Sequence, residues 1–434
     1  MKRLLALSLC FVLLLGGSSF AEFKAAIATR IVTPDPLLPV SGGMGASNPV
    51  KEKRGELTVR ALVVEQGKTR VAIVSGDFLG FPAALCNRVR ANLKDIPAEN
   101  ILIGATHCHS APDCYGFPDE KGQFSCDLKW LDSVCAKMSD AINEAVSKLQ
   151  PAGVKIATDE AKGKIAYNYY APQLYDPRCS VIQCVGKSGK PFATLVNYAT
   201  HPEVLGNDVG ILSPDLCGPL YDRIAEQGGG TAIFMNSAQG GMVTADNRDP
   251  SDPTGQKDMR TWEECLRIGT LLADEALRIV KDAPVQSDPA LVCIAQGVTF
   301  PVDTESIRMV AKVSPVGLGV RDDNMVTTQV NLVNLGNAQM LTIPGEALPN
   351  IGYYLKRKMK GEHNLLFGLT NDAFGYILIK EDWGSFKRYN YITRTGLGEM
   401  TGEILIEEAL KIVNAAPEPQ QLQGVEAATA KPKA

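Results

Sequence analysis

The sequence has no excess of basic residues and few aromatic ones. Its 44 Lys and Arg residues stand against 48 Asp and Glu, and the formal net charge is −4. Nothing in this balance points to nucleic acid as a partner. Aromatic residues make up 6% of the chain and hydrophobic residues 45%. This is an ordinary globular composition, and the length allows one large core or two smaller ones.

Long hydrophobic runs are also absent, apart from one at the N-terminus. Met1, Lys2 and Arg3 give a positive start, and an apolar stretch from Leu4 to Leu15 follows. That stretch is about 12 residues, short of the roughly 20 that a membrane span needs. A small-x-small sequence ends at Ala21, so residues 1–21 are predicted to be a cleaved signal peptide. We therefore expect a secreted or periplasmic protein.

The cysteines are never spaced as Cys-x-x-Cys, which gives little support to a structural zinc site built on cysteine. Ten of the eleven cysteines follow the predicted signal peptide. An even number in an oxidising compartment predicts disulfides, about two to four, with the pairing left open.

Apolar periodicity predicts an α/β fold, with mixed β-sheets flanked by helices in one domain over residues 22–414. The last residues, 415–434, are rich in Ala, Pro, Gln and Lys and are predicted to be a disordered tail. Strands are predicted at 25–33, 57–65, 70–75, 101–105, 181–185, 193–197, 231–235, 327–333, 338–343 and 365–369. Helices are predicted at 82–93, 128–149, 216–227, 261–281, 349–359 and 399–414.

Two of the four histidines, His107 and His109, come directly after the apolar strand at 101–105. If the backbone is still extended there, side chains at i and i+2 point to the same side. Two imidazoles would then face one pocket at the carboxyl end of a strand, where open α/β sheets place their ligands. His201 follows another predicted strand in the same way, and the active site is therefore expected at the carboxyl ends of the strands.

Glu346 follows the strand at 338–343. Two histidines and a carboxylate are a common ligand set for a catalytic zinc ion, which keeps one position open for water. Other interpretations remain open at this point. A histidine after a strand is often a hydrogen-bonded partner in the core, and Glu346 could cap the helix that follows it. His363 is predicted to lie in a surface turn and receives no role.

Five segments of the sequence form recognisable motifs: Thr106-His107-Cys108-His109-Ser110-Ala111-Pro112, Asn197–Pro202, Ser213–Gly218, Pro344-Gly345-Glu346 and Asn371–Tyr376. The first is similar to Thr-His-x-His-Ser-Gly-Pro in the neutral/alkaline ceramidases. The other four also resemble motifs of that family, and the order of the motifs is the same across about residues 26–410.

The resemblance implies a zinc-dependent amidase that cleaves the N-acyl bond of ceramide or a related lipid. Carried over position by position, the zinc ligands would be His107, His201, Glu346 and Tyr376. His109 would lie beside the metal and hold the attacking group or the developing oxyanion. A lipid amide is the expected substrate, with no nucleic acid or protein partner implied, and peripheral contact with a membrane is left open.

The chain departs from the family pattern at three places. The family's serine lies in Asn-x-Gly-Asp-x-Ser-Pro, whereas the matching stretch here is Gln239–Ala245. The serine position is Val243 or Thr244, and the acidic residue is missing. Tyr169 stands where the family typically has a substrate-linked arginine. The third departure is length, since the chain ends where a C-terminal immunoglobulin-like domain would begin.

These departures leave three hypotheses. In the first, the protein is a zinc hydrolase of amide bonds in which metal-activated water, held by His109, attacks; Thr244 is the less favoured nucleophile. In the second, the same fold acts on another lipid amide, an ester or a cell-wall fragment. In the third, the protein is a non-catalytic relative that binds a lipid or a glycan.

Overall fold

A computed structural model describes residues 22–255 and 257–422, so the predicted signal peptide and residues 423–434 lie outside the described part. The strands are β1 Lys24–Ile31, β2 Val40–Ser41, β3 Glu52–Lys53, β4 Thr58–Gln66, β5 Thr69–Gly76, β6 Ile101–Ala105, β7 Ala111–Pro112, β8 Gln150–Glu160, β9 Ala166–Asn168, β10 Arg178–Gly186, β11 Pro191–Tyr198, β12 Ile211–Leu212, β13 Thr231–Asn236, β14 Val243–Ala245, β15 Leu291–Pro301, β16 Met325–Leu335, β17 Ala338–Thr342, β18 Glu346–Ala347, β19 His363–Phe367 and β20 Tyr376–Ile377. The helices are α1 Ala83–Ala91, α2 Leu128–Ser147, α3 Cys217–Glu226, α4 Trp262–Val280, α5 Glu305–Val313, α6 Pro349–Lys358, α7 Asn390–Arg394 and α8 Thr401–Ala415.

The larger sheet has eight strands in the order β13-β11-β10-β8-β1-β4-β5-β6. It is mixed, because β5/β6 and β11/β13 are parallel pairs and the other pairs are antiparallel. The hairpin between β4 and β5 turns at Gly67, whose φ of 60° suits a tight two-residue turn. Both strands are apolar over most of their length because both faces of the sheet are covered.

A second sheet, β15-β16-β17-β19, stacks on the first. Ile73 and Ile182 of the first sheet share one buried cluster with Met340 and Phe367 of the second. The β17/β19 pair is parallel. The carboxyl ends of three parallel pairs therefore come together at one region of this two-sheet core.

Helices cover the outer face of each sheet. On the first sheet, α1 and α2 pack over one half, and α3 and α4 pack over the other. On the second sheet, α6 and α8 form the outer layer. The α4 helix begins at Thr261, whose side chain accepts from the backbone N–H of Glu264 at 3.3 Å, as in a capping box. The architecture is a four-layer α/β/β/α arrangement, and it confirms the predicted fold class.

The predicted disulfides are absent, and that expectation is wrong for this structure. All ten described cysteines are free thiols, and eight of them are buried. The eight buried thiols belong to three apolar clusters, where each packs as a small hydrophobic group. Burial raises the pKa of Cys184 to about 12, which keeps this thiol protonated and unreactive.

The first residues of the segment predicted as a tail are described, whereas residues 423–434 of it lie outside the described residues. Residues 416–420 attach to the second sheet: the Pro417 carbonyl accepts from Asn334 Nδ2 at 2.8 Å, and the Gln420 N–H donates to the Gly336 carbonyl at 2.9 Å. Ala416 is buried beside α8. Composition alone could not reveal these few contacts with the sheet. Across residues 22–255 and 257–422, none of the helices is long and apolar enough to span a bilayer.

Candidate metal centre

His107 lies just beyond the carboxyl end of β6, but not in the extended conformation expected from the sequence. Its φ is 70°, which places it in the left-handed region. A side chain with a Cβ adopts this region at a cost, so such residues concentrate at functional sites. The ring Nδ1 lies 2.6 Å from the carbonyl oxygen of Leu79. This contact fixes the ring and leaves Nε2 facing the centre of the site.

His201 follows β11 and is completely buried. Its backbone N–H donates to the Val243 carbonyl at 2.9 Å, and its ring Nδ1 lies 2.7 Å from the same oxygen. The Nε2 atom of His201 therefore also faces the centre. Val243 belongs to Gln239–Ala245, the segment that aligns with the serine motif of the ceramidases. The backbone of this segment therefore orients the His201 imidazole.

Glu346 completes the convergence. Its Oε2 atom lies 3.2 Å from His201 Nε2 and 3.3 Å from His107 Nε2. Two nitrogens and one oxygen thus point at a common volume from three distant parts of the chain. Each imidazole is held through its other nitrogen by a carbonyl, the arrangement usual for histidines that bind a metal. The set fits a divalent ion such as zinc, which prefers imidazole and carboxylate ligands.

The charges of this group also suit a cation. Burial alone would raise the pKa of Glu346, but the adjacent His107 and His201 hold it well below its usual range. Burial opposes the charged form of His201 as well, yet Glu203 and Glu346 raise its pKa to about 9. The carboxylate is therefore ionised, and a positive charge beside it is stabilised, whether this is a proton on His201 or a metal ion that displaces that proton.

His109 is the third imidazole of the cluster. Candidate ligand atoms of His107, His109 and His201 all lie within 4.8 Å of one another. The Nδ1 atom of His109 is 3.4 Å from Glu203 Oε2, and its Nε2 is buried without a hydrogen-bond partner. Burial and the two neighbouring histidines lower the pKa of His109 well below its usual value. A neutral imidazole with one unpaired nitrogen can bind a metal or a polar group of a ligand.

Tyr376 lies beside Glu346, because β18 and β20 pair in parallel with these two residues in register. Its side chain is buried and lines the same cavity as His107, His109 and Glu346. The hydroxyl donates to the sulfur of Met242 at 3.1 Å. The assignment of Tyr376 as a ligand remains a prediction, as does the division of roles between His109 and the other histidines.

Thr244 lies in the short strand β14, opposite Tyr167 of β9 and bridged to His201 through the backbone. It is half-buried, and it is not among the residues that line the cavity. Its role as a nucleophile remains a prediction, and the geometry gives it no added support.

Two residues to which the sequence assigned no role hold the site together: Asn236, which opens a polar loop at a strand end, and Glu203. The side-chain amide of Asn236 donates to the carbonyls of Thr106 at 3.0 Å and Thr200 at 2.7 Å. These are the residues immediately before His107 and His201, so one amide sets the spacing of both loops. The position of Asn236 at the end of β13 was the available signal. Glu203 was missed because it follows a Thr-His-Pro sequence that resembles an exposed loop. Nothing in that sequence indicates that the Glu203 carboxylate lies beside His109.

Gly240 allows the loop after β13 to approach Glu346 closely. Its N–H donates to the Ala347 carbonyl at 2.9 Å, and a Cβ at this position would lie 2.1 Å from the backbone oxygen of Glu346. Only glycine fits such a contact without displacing the neighbouring strand.

His107, His109 and Glu346 line a cavity of about 870 Å³, part of which is open solvent. The other walls are mostly aliphatic and aromatic, from Leu79, Phe117, Val310, Leu318, Val326, Tyr391 and Leu397. A mostly apolar cavity with a few polar groups suits a ligand that has a hydrocarbon chain and a polar group.

Comparison with known proteins places the fold. No protein-family model matches the sequence, and no curated protein sequence does. The structure of neutral ceramidase from Pseudomonas aeruginosa superposes with a TM-score of 0.73, over 93% of this chain and 76% of that one, at 15% identity. A structure described as ceramidase complexed with C2 gives 0.72 over the same shares, at 16% identity. The chain therefore has the neutral ceramidase fold, as its motifs predicted.

Proposed function

We propose that the protein is a metal-dependent hydrolase that cleaves the N-acyl amide bond of ceramide or a related lipid. The convergence of His107, His201 and Glu346 at the end of an apolar cavity is the observation that supports this proposal most. The likeness to ceramidase structures agrees with it. A buried, ionised carboxylate is costly unless a cation or hydrogen-bond donor compensates it.

The side chains of this chain would divide the work as follows. His107, His201 and Glu346 would hold the metal, and Tyr376 is the proposed fourth ligand. A zinc ion bound there would supply Lewis acidity and lower the pKa of water towards neutrality. His109, through its unpaired Nε2, holds the attacking water or the developing oxyanion. The aliphatic walls bind the acyl and sphingoid chains and exclude bulk water from the reaction.

The alternatives concern the substrate and the catalytic competence of the chain. Met242 contacts the Tyr376 hydroxyl, and exposed Tyr169 stands where the family typically has an arginine. The two residues are adjacent, since the Tyr169 N–H donates to the Met242 carbonyl at 2.9 Å. They favour another lipid amide or an ester as the second candidate, and a non-catalytic lipid-binding protein as the third. Secretion or residence in a periplasm is likewise proposed from the N-terminal segment alone.

The experiment is hydrolysis of short-chain and long-chain N-acyl sphingosines by the purified protein, together with a panel of fatty-acid esters. We expect His201→Ala to lose bound metal and at least about 1,000-fold in turnover, since one ligand of a three- or four-ligand site is removed. His363→Ala is the matched control, because His363 lies at the start of β19, and it should keep both.

Turnover of esters but not amides would support the second candidate. Bound metal with no hydrolysis of either class would contradict the enzyme and favour the binding protein. Full activity in metal-free protein would contradict the metal mechanism.

A further inference from the structure

The mouth of the apolar cavity has an exposed rim of aromatic and basic side chains. We define the aromatic–basic rim as Tyr169, Phe386, Lys387, Arg388, Tyr391 and Arg394. Tyr169 is 58% exposed and Phe386 52% exposed, although both side chains are large and apolar enough to favour burial.

Ring contacts connect Tyr169 and Phe386 of the rim through Tyr170 and Tyr389, which lie between them. Tyr170 contacts Tyr169 with ring centroids 5.6 Å apart and Tyr389 at 5.3 Å, and Phe386 contacts Tyr389 at 5.3 Å. The guanidinium of Arg388 lies 5.4 Å from the centre of the Tyr170 ring. Tyr170 and Tyr389 pack against the small buried cluster that contains Tyr376. The exposed rings are thus supported from beneath and held in place.

The rim adjoins the cavity. Tyr391 both lines the cavity and is exposed, and its ring centroid is 6.0 Å from that of Tyr376. The carbonyl of Arg394 accepts from Ser306 Oγ at 2.9 Å, which joins the rim to α5.

Helix α5, which contacts Arg394 of the rim through Ser306, adds further exposed apolar side chains beside the cavity. Ile307, Val310 and Ala311 line the cavity. Met309 and Val313, one turn apart, are 62% and 50% exposed. An amphipathic helix with exposed apolar residues is typical of elements that lie in a membrane interface.

The charge of the rim indicates which surface it fits. Residues 380–394 contain four basic residues, Lys380, Lys387, Arg388 and Arg394, against two acidic ones, Glu381 and Asp382, in a chain whose formal net charge is −4. The three basic side chains of the rim are exposed. Basic residues among aromatic rings are the combination that an anionic lipid interface attracts, because the charges bind headgroups while the rings enter the interfacial layer.

We propose that the aromatic–basic rim, together with Met309 and Val313 of α5, docks on the surface of an anionic phospholipid bilayer. Docking would place the cavity mouth against the lipids, so that an apolar substrate passes from bilayer to cavity without crossing water. This proposal deepens the proposed function and rests on it for the identity of the passing lipid, but the docking itself is tested without turnover.

The experiment is co-sedimentation of the purified protein with phosphatidylcholine vesicles, with and without phosphatidylglycerol, at low and high salt. We expect binding to the anionic vesicles that weakens with salt. The variant Lys387→Glu/Arg388→Glu should bind at least about 30-fold more weakly, since each basic residue near an anionic surface contributes a factor of about five. Phe386→Ala should weaken binding about fivefold through lost interfacial burial.

The matched controls carry the same changes elsewhere. Lys94→Glu/Lys129→Glu makes the same change in charge at exposed positions away from the rim, and Leu266→Ala removes an exposed apolar side chain from α4. Both should bind as the unmodified protein does. No binding to anionic vesicles, or equal losses in rim and control variants, would overturn the proposal. Vesicle binding without hydrolysis of any lipid would support docking and contradict the proposed function. Hydrolysis of a dispersed short-chain substrate without vesicle binding would support the proposed function and contradict docking.

Discussion

At the scale of single residues, the close approach of Gly240 to Glu346 gives a direct test of the metal centre. In Gly240→Ala the added Cβ would lie 2.1 Å from the Glu346 carbonyl oxygen, so the loop or β18 must move. We expect the variant to fold and to bind metal at least about tenfold more weakly, because a shift of about 1 Å disrupts a ligand set. Isothermal titration of the metal-free protein measures this change.

Gly297→Ala is the control for that variant. Gly297 lies in β15, and the nearest atom to its added Cβ would be a Thr327 methyl at 3.8 Å, an ordinary contact. Its metal affinity should equal that of the unmodified chain. Unchanged affinity in both variants would show that the position of Glu346 does not determine binding.

A second prediction at this scale concerns Thr244. Its side chain is not among those that line the cavity, whereas the backbone of its neighbour Val243 orients His201. Thr244→Ala should therefore retain bound metal and turnover within about threefold of the unmodified enzyme, as steady-state kinetics would show. A Thr244→Ala protein that keeps its zinc but has no activity would identify this hydroxyl as the nucleophile.

The conformation of His107 and the partners of the two imidazoles could not be predicted from the sequence. The sequence pattern placed His107 facing a pocket at the end of a strand on the assumption of an extended backbone, but His107 is not extended, and its left-handed φ aims the ring. No local pattern encodes the carbonyls of Leu79 and Val243 that fix the two imidazoles. Those partners are distant in sequence and become neighbours only when the sheets stack.

At the scale of elements, a buried ion pair joins α6 to the segment before β10. Asp176 accepts from Lys356 Nζ at 2.9 Å and from Arg178 Nε at 2.7 Å. Burial would raise the pKa of Asp176, but Lys356 and Arg178 lower it to about 2, from an unfolded value near 3.8. A carboxyl whose pKa falls on folding stabilises the fold above its unfolded pKa, and that contribution disappears as the pH falls through the folded pKa.

The acid sensitivity of the fold should therefore include a contribution from this pair. Between about pH 4 and pH 2 the pair should account for roughly 2 kcal/mol of lost unfolding free energy. The variant Asp176→Asn/Lys356→Met removes both charges together. In urea unfolding, this variant should lose about 2 kcal/mol less unfolding free energy between about pH 4 and pH 2 than the unmodified protein does. Asp132→Asn, at an exposed position on α2, should keep the original pH dependence. Equal pH dependence in all three proteins would contradict a role for the pair.

Elements were predictable where their apolar pattern was strong. The strand at 101–105 and the long helix from Leu128 were predicted closely, since each buries a continuous or strictly periodic set of residues. The strands β8 and β15 were missed. β15 lies at the edge of its sheet with many half-exposed residues and an internal glycine, which weakens any period of two. The short α5 was missed because its nine residues form no buried face.

At the scale of the whole molecule, the four-layer fold brings the ends of strands from two sheets to one place. Mixed sheets flanked by helices could be predicted from the order of elements, but the stacking of the second sheet on the first could not. The stacking places Glu346, which follows β17, beside two histidines that follow β6 and β11. Metal bound at this junction should therefore stabilise the whole fold, since it joins His107, His201 and Glu346 from three segments that are distant in sequence.

The metal content of the purified protein tests the central claim most directly. The protein is purified without added metal or chelator, supplied with a slight excess of zinc and dialysed. Inductively coupled plasma mass spectrometry should then find one zinc ion per chain. His107→Ala and His201→Ala should bind none, while His363→Ala should bind one. Less than about a tenth of an ion per chain in the unmodified protein, or one full ion retained by both site variants, would contradict the account.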